Sequence, residues 1–278
     1  MQKNTPDTTA SFDFIKATAE GYKFLWQRRD IVLRLGFLPV IVKFICFIVV
    51  VNLGLENNFL RQGLLLFPAY LLEGYLVCTL VRLAVFSNEA LVQPPGSGAF
   101  EYYKQRARDI QAGAILYTLI KLLAALLFGL IYATAPMRGE ETVTPPNPGF
   151  DTFLAAMLMF VFMIWAFRLL WLNVAVTLGY SMRGYLKKVR GFSFSFHIFS
   201  VWIMCLLPFS LGGILIADIL FSLTQGIGEA PSQIFLFLRM AIAALIETLS
   251  AIVSNIAIGF GIYWVMSGQN LKMQDPKK

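Results

Sequence analysis

Six runs of the chain, near residues 31–54, 63–86, 110–135, 152–180, 197–220 and 234–266, are too long and too apolar to serve as surface helices of a water-soluble domain. At 1.5 Å per residue, each reaches across roughly 30 Å of hydrocarbon. None shows the short alternating apolar–polar segments of a membrane β-barrel. The expected fold is therefore all-α: a polytopic transmembrane bundle of six helices. Composition agrees, with 58% hydrophobic and 14% charged residues in 278 and a mean hydropathy of +0.68. Soluble domains carry about twice that charged fraction. The last run exceeds a single crossing, which predicts tilt, a kink or an interfacial extension.

Basic residues set the expected threading. Six crossings leave both termini on one side, together with the connections at 87–109 and 181–196. Five Lys or Arg precede Asp30. Lys104, Arg106, Arg108, Arg183, Lys187, Lys188, Arg190, Lys272, Lys277 and Lys278 follow on the same side, against Arg61 and Arg138 opposite. The positive-inside rule then places both termini in the cytoplasm. The net charge of +7 is largely this asymmetry. It points to anionic lipid headgroups at the basic loops as partners, and not to nucleic acid; the sequence specifies no protein partner. No signal peptide is read, because about thirty mostly polar residues precede the first apolar run.

The lead-in "SFDFIKATAEGYKFLWQRRD" carries two stripes at helical spacing. Ile15, Thr18, Tyr22, Leu25 and Trp26 form one, and Lys16, Glu20, Lys23 and Gln27 the other. This predicts an N-terminal amphipathic interfacial helix, with Arg28 and Arg29 at the turn into the bilayer. Gly21 weakens it slightly. The organisation expected is a cytoplasmic N-terminal segment (1–30), a six-span membrane domain (31–266) and a cytoplasmic tail (267–278). The breakers "VQPPGSG" (92–98) and "TPPNPG" (144–149) fix two of the connections.

The residues out of place are the charges at mid-span. Lys43, Glu73, Lys121, Arg168 and Glu247 each fall near the middle of a run. Arg82, Asp218 and Arg239 lie nearer the ends and can snorkel. On an insertion scale, five central charges cost on the order of 12–18 kcal/mol if left alone. They must pair, face a wet cavity or become neutral. Glu73 and Arg82 are about half a turn out of phase, so the partner of Glu73 should come from another span. Lys43 is the first choice, because a short loop makes spans one and two antiparallel neighbours. Glu247 is left with Lys121 or Arg168, and one cation remains over.

Small and polar side chains surround these charges. Ala243, Ala244, Glu247, Ser250, Ala251, Ser254 and Gly261 share a face of span six; Ala114, Tyr117, Thr118, Lys121, Ala124 and Ala125 share one of span three. Such stripes allow close helix approach and can line a cavity, for which Tyr117, Thr118, Ser250 and Ser254 are the candidates. Pro39, Pro68 and Pro208 fall inside spans, where they can kink or interrupt a helix. The charged interior fits either a path for an ion, solute or lipid headgroup, or an ion-pair network that fixes which helix neighbours which.

Enzymatic motifs are missing. There is no HExxH, GxSxG, phosphate loop or Asp-rich metal motif, and "GFGIYWVMSG" (259–268) reads as packing glycines. Cys46, Cys78 and Cys205 read as small apolar packers without metal spacing, and the single His197 as an interfacial surface group. No cofactor or metal is expected. The opening "GYKFLWQRRDIVLRLGFLPVIV" (21–42), six spans and basic loops together resemble poorly characterised bacterial inner-membrane proteins. These are akin to the membrane segment attached to some glycerophosphodiester phosphodiesterases. The resemblance implies a bacterial inner membrane and lipid or envelope biology. It does not imply phosphodiesterase activity, for which the chain carries no domain. The function expected is non-enzymatic transport or lipid handling, the alternative being a structural or assembly protein.

Overall fold

The computed structural model describes residues 12–86, 99–134, 150–224 and 233–267. The loops at 92–98 and 144–149, Arg138 and residues 268–278 of the tail lie outside the described residues. Helix dominates: α1 (Phe14–Gln27), α2 (Arg29–Asn52), α3 (Phe59–Leu65), α4 (Phe67–Phe86), α5 (Ala99–Thr134) and α6 (Phe150–Phe167) come first. A 3₁₀ turn (Arg168–Trp171), α7 (Leu172–Thr177), α8 (Met182–Lys188), α9 (Phe192–Thr224) and α10 (Gln233–Ser267) follow. Six helical segments are long and apolar enough to cross a membrane, which makes this a multi-pass membrane protein.

Local sequence accounts for the breaks between elements. Pro68 stands in the first turn of α4, where a missing N–H costs nothing, and so it starts that helix instead of kinking it. Span two therefore begins at Phe67, and residues 63–65 belong to the short α3. The Asn58 side chain caps α3 by accepting from the Arg61 amide at 3.2 Å. Pro39 and Pro208 remain inside continuous helices. At 35 residues, α10 is about 52 Å long, well beyond one crossing.

α10 is the pillar of the bundle, packed against α1, α2, α4, α7 and α9. Its buried residues concentrate between Ser250 and Trp264, toward the end where α1 and α8 gather, here called the basic end. There Leu80 and Val81 of α4, Val174 of α7, Ile198 and Val201 of α9 and Ile256 of α10 form one core. Among the described residues, the opposite, distal half has a small cluster around Leu66, Ala69 and Tyr70. Since lipid is as apolar as the core, close packing holds such helices together, and small residues permit it. Gly259 seats Val81, and the Phe12 ring lies where a Cβ on Gly261 would be. The glycines of 259–261 thus pack, as their position in an apolar span predicts, but Gly261 faces the N-terminal segment and not the bundle interior.

α1 begins at Asp13, whose carboxylate accepts from the Lys16 amide at 3.0 Å. Its buried face is Ala17, Thr18 and Gly21, turned against α10 and α9. Ile15 and Trp26 of the expected apolar stripe are exposed. The face is rotated because Gly21 allows contact with the Val253 carbonyl, where a Cβ would stand at 2.9 Å. Tyr22 donates to the Cys205 carbonyl at 3.0 Å, and burial pushes its hydroxyl up to about 12, so it remains a donor at any physiological pH.

Candidate functional site

Four helices deliver the central charges to one level. Lys43 of α2 donates to Glu73 Oε1 of α4 at 2.7 Å, and both side chains are fully buried. Lys43 also lies 3.6 Å from Glu247 Oε2 of α10, while the other Glu247 oxygen is 3.4 Å from Lys121 Nζ of α5. The result is an alternating row, Glu73–Lys43–Glu247–Lys121, whose formal charges sum to zero. Close approach of α4 to α5 helps to assemble it: Gly74 sits against the Ala114 carbonyl and the Tyr117 ring. Lys121 Nζ lies over the rings of Tyr70 and Tyr117, at 5.7 and 5.6 Å.

Arg168 is not in the row. It falls near the middle of the fourth apolar segment, Met157–Thr177, but the chain leaves the α-helix there for the 3₁₀ turn and the side chain turns elsewhere. Its guanidinium donates to the Val189 carbonyl and lies 4.3 Å from the Trp165 ring centroid. It is the surplus cation, held by a carbonyl and a ring and not by a carboxylate among the described residues. Arg82 does not snorkel either. It donates to Asp109 Oδ2 at 3.1 Å and to the Thr177 carbonyl at 2.9 Å, tying α4, α5 and α7 at the basic end.

The two halves of the charged row differ in their surroundings. Whereas Lys43 and Glu73 are sealed, the side chains of Glu247 and Lys121 are 40% and 31% exposed although they lie at mid-span. They border a cavity of about 320 Å³ floored by α10, with α5 on one side and α9, the end of α6, the 3₁₀ turn and the start of α7 on the other. α5 packs on α3, α4 and α7, and α9 on α1, α6 and α10, which leaves a groove between them. Along its floor run Glu247, Ser250, Ser254 and Asn255; Phe167, Leu170, Trp202 and Leu206 form an apolar wall. Tyr117 lines it as well. Thr118 does not: it is buried, its hydroxyl donating to the Ala114 carbonyl of its own helix at 2.9 Å. Ser254 likewise bonds back to the Ser250 carbonyl while remaining on the groove.

A second cavity of about 330 Å³ lies on the other side of the exposed pair and shares Lys121, Ala124 and Glu247 with the groove. Gln62, Tyr70 and Phe47 contribute to its lining. A third, about 370 Å³, shares Phe47 and Gln62 with the second and reaches Glu56 and Arg239 at the distal end. The Lys121–Glu247 pair is thus the common wall between a groove toward the basic end and a vestibule toward the distal end.

Three residues in or beside this arrangement escape a count of mid-span charges. Asn173 Nδ2 donates to Asn255 Oδ1 at 3.1 Å, and Asp109 holds Arg82. Two asparagines inside "WLNVAV" and "VSNIAI", and a single acid in the otherwise basic "KQRARDI", are the signals that would have found them. Trp171 Nε1 and Asn173 Oδ1 are buried at the groove without a hydrogen-bond partner among the described residues. No group of three or more potential metal-ligating side chains occurs among the described residues.

Six membrane-crossing helices around a partly open polar groove define the class: an integral, multi-pass membrane protein with a charged interior. Compared with family models, with curated proteins and with solved structures, the chain matches none.

Proposed function

We propose that this is a bacterial inner-membrane protein that binds and moves a membrane amphiphile through the groove between α5 and α9, without chemistry of its own. Both termini and the basic end face the cytoplasm in this reading, as the Lys and Arg distribution favours. One observation carries the proposal: an ion pair at mid-span is a third exposed and stands on a cavity with one polar and one aromatic wall. An amphiphile matches both walls, its head on the α10 stripe and its chain against Phe167, Trp202 and Leu206. Water alone would not account for the aromatic wall. Small-solute transport uses the polar stripe but leaves that wall unexplained. The sealed Lys43–Glu73 pair fits a structural duty, fixing α2 against α4.

The test compares two positions of α9. A photo-reactive amino acid replaces Leu206, which lines the groove, or Leu211, which is exposed on the helix exterior. After detergent washing strips loosely held lipid, position 206 should still cross-link to a co-purified amphiphile and position 211 should not. Equal loss at both positions would defeat the proposal.

A further inference from the structure

The charge balance of the row restricts which head can enter. Glu73, Lys43, Glu247 and Lys121 alternate in sign with every charge beside an opposite one. An anion that takes Lys121 leaves the row with an excess negative charge at mid-membrane. A cation that takes Glu247 leaves an excess positive charge. Either excess is costly where water is scarce. A head carrying one positive and one negative group can insert between Lys121 and Glu247 and leave every charge paired. The separation is feasible because the two are 3.4 Å apart, looser than the 2.7 Å Lys43–Glu73 contact, and both side chains border open space.

A second observation supports a polar ligand here. Farther along the groove, Trp171 and Asn173 are 7% and 1% exposed, and Trp171 Nε1, a donor, and Asn173 Oδ1, an acceptor, have no hydrogen-bond partner among the described residues. Buried polar atoms are ordinarily satisfied. A head with both a donor and an acceptor answers both, whereas a purely acceptor or purely donor head answers one.

We infer that the groove selects a zwitterionic head, an ammonium joined to a phosphate or carboxylate by a short linker, over an anionic one. This rests on the amphiphile reading above for the head's attachment to a lipid; the charge argument holds for a free zwitterion as well. In the bound state the anionic group faces Lys121 and the ammonium faces Glu247.

The Leu206 cross-linking variant, stripped of its co-purified amphiphile by a harsher detergent, separates these claims when it is supplied with phosphatidylethanolamine or phosphatidylglycerol of matched chains and then given the milder wash. Phosphatidylethanolamine should be retained about tenfold better, the scale of one differential ion pair. Glu247→Gln, which gives the row a net positive charge, should reverse the order. Lys121→Met should weaken retention of both lipids. Equal retention, or a preference for phosphatidylglycerol in the parent protein, would overturn the inference while leaving the amphiphile reading intact. If neither lipid is retained but soluble glycerophosphoethanolamine, a neutral zwitterion, protects a Ser250→Cys variant from alkylation and anionic glycerol phosphate does not, the charge rule stands and the lipid reading falls. Failure of both lipids and of glycerophosphoethanolamine overturns both.

Discussion

Lys43→Met is expected to destabilise the protein in detergent by about 3–5 kcal/mol, the range for breaking one side of a buried pair. Its effect follows from what is left behind. Glu73 is fully buried and Lys43 is its ion-pair partner at 2.7 Å; its second oxygen has no hydrogen-bond partner among the described residues. Glu73→Gln should cost less, about 1–2 kcal/mol, because Lys43 keeps Glu247 at 3.6 Å and glutamine can still accept from the ammonium. The double variant should be more stable than the two losses added together, by about 2 kcal/mol. Thermal or denaturant unfolding of all four proteins measures this. Strictly additive losses would mean that the two residues do not act as a pair.

Gly74→Leu is the second large effect, expected at about 3 kcal/mol by overpacking. A Cβ at this position would stand 2.9 Å from the Ala114 carbonyl oxygen and 3.0 Å from the Tyr117 ring. Backbone oxygen cannot swing aside as a flexible side chain can, so α4 must move away from α5. Glu73, one residue earlier, moves with it, which should also loosen the charged row. Gly212 of α9 supplies the control, since nothing lies within 4 Å of a Cβ there. Gly212→Ala should leave stability unchanged or slightly raised through helix propensity. Similar losses at both positions would show that the tight α4–α5 approach is not what Gly74 provides.

The parts of this site that were legible in the sequence depend on short-range rules. Helical phase separates Glu73 from Arg82, and the short connection between spans one and two singles out Lys43; the 2.7 Å contact is what those rules lead to. Arg168 falls mid-run in 152–180, but the 3₁₀ turn interrupts the helix there and takes its side chain out of the row. No proline or glycine occupies positions 168–171, so nothing local marks the 3₁₀ turn that ends α6. Thr118 stays off the cavity for another reason. A hydroxyl on a polar stripe can bond back to its own helix, as Thr118 does to Ala114, and then it needs no cavity. Asn173 and Asn255 fall outside a count of ionisable residues by depth, although an amide in an apolar span also needs a partner. The groove itself depends on the spacing of α5 and α9, which are far apart in sequence, and no periodicity reports that distance.

The central claim is that the mid-span pair Lys121–Glu247 faces an occupied groove and not a dry core. A cryo-EM map of the protein in lipid nanodiscs tests it most directly. Elongated density is expected between α5 and α9, with its polar end at Lys121 and Glu247 and its tail against Trp202 and Leu206. Close packing of α5 onto α9, with the pair in sealed contact and no density between them, would contradict it.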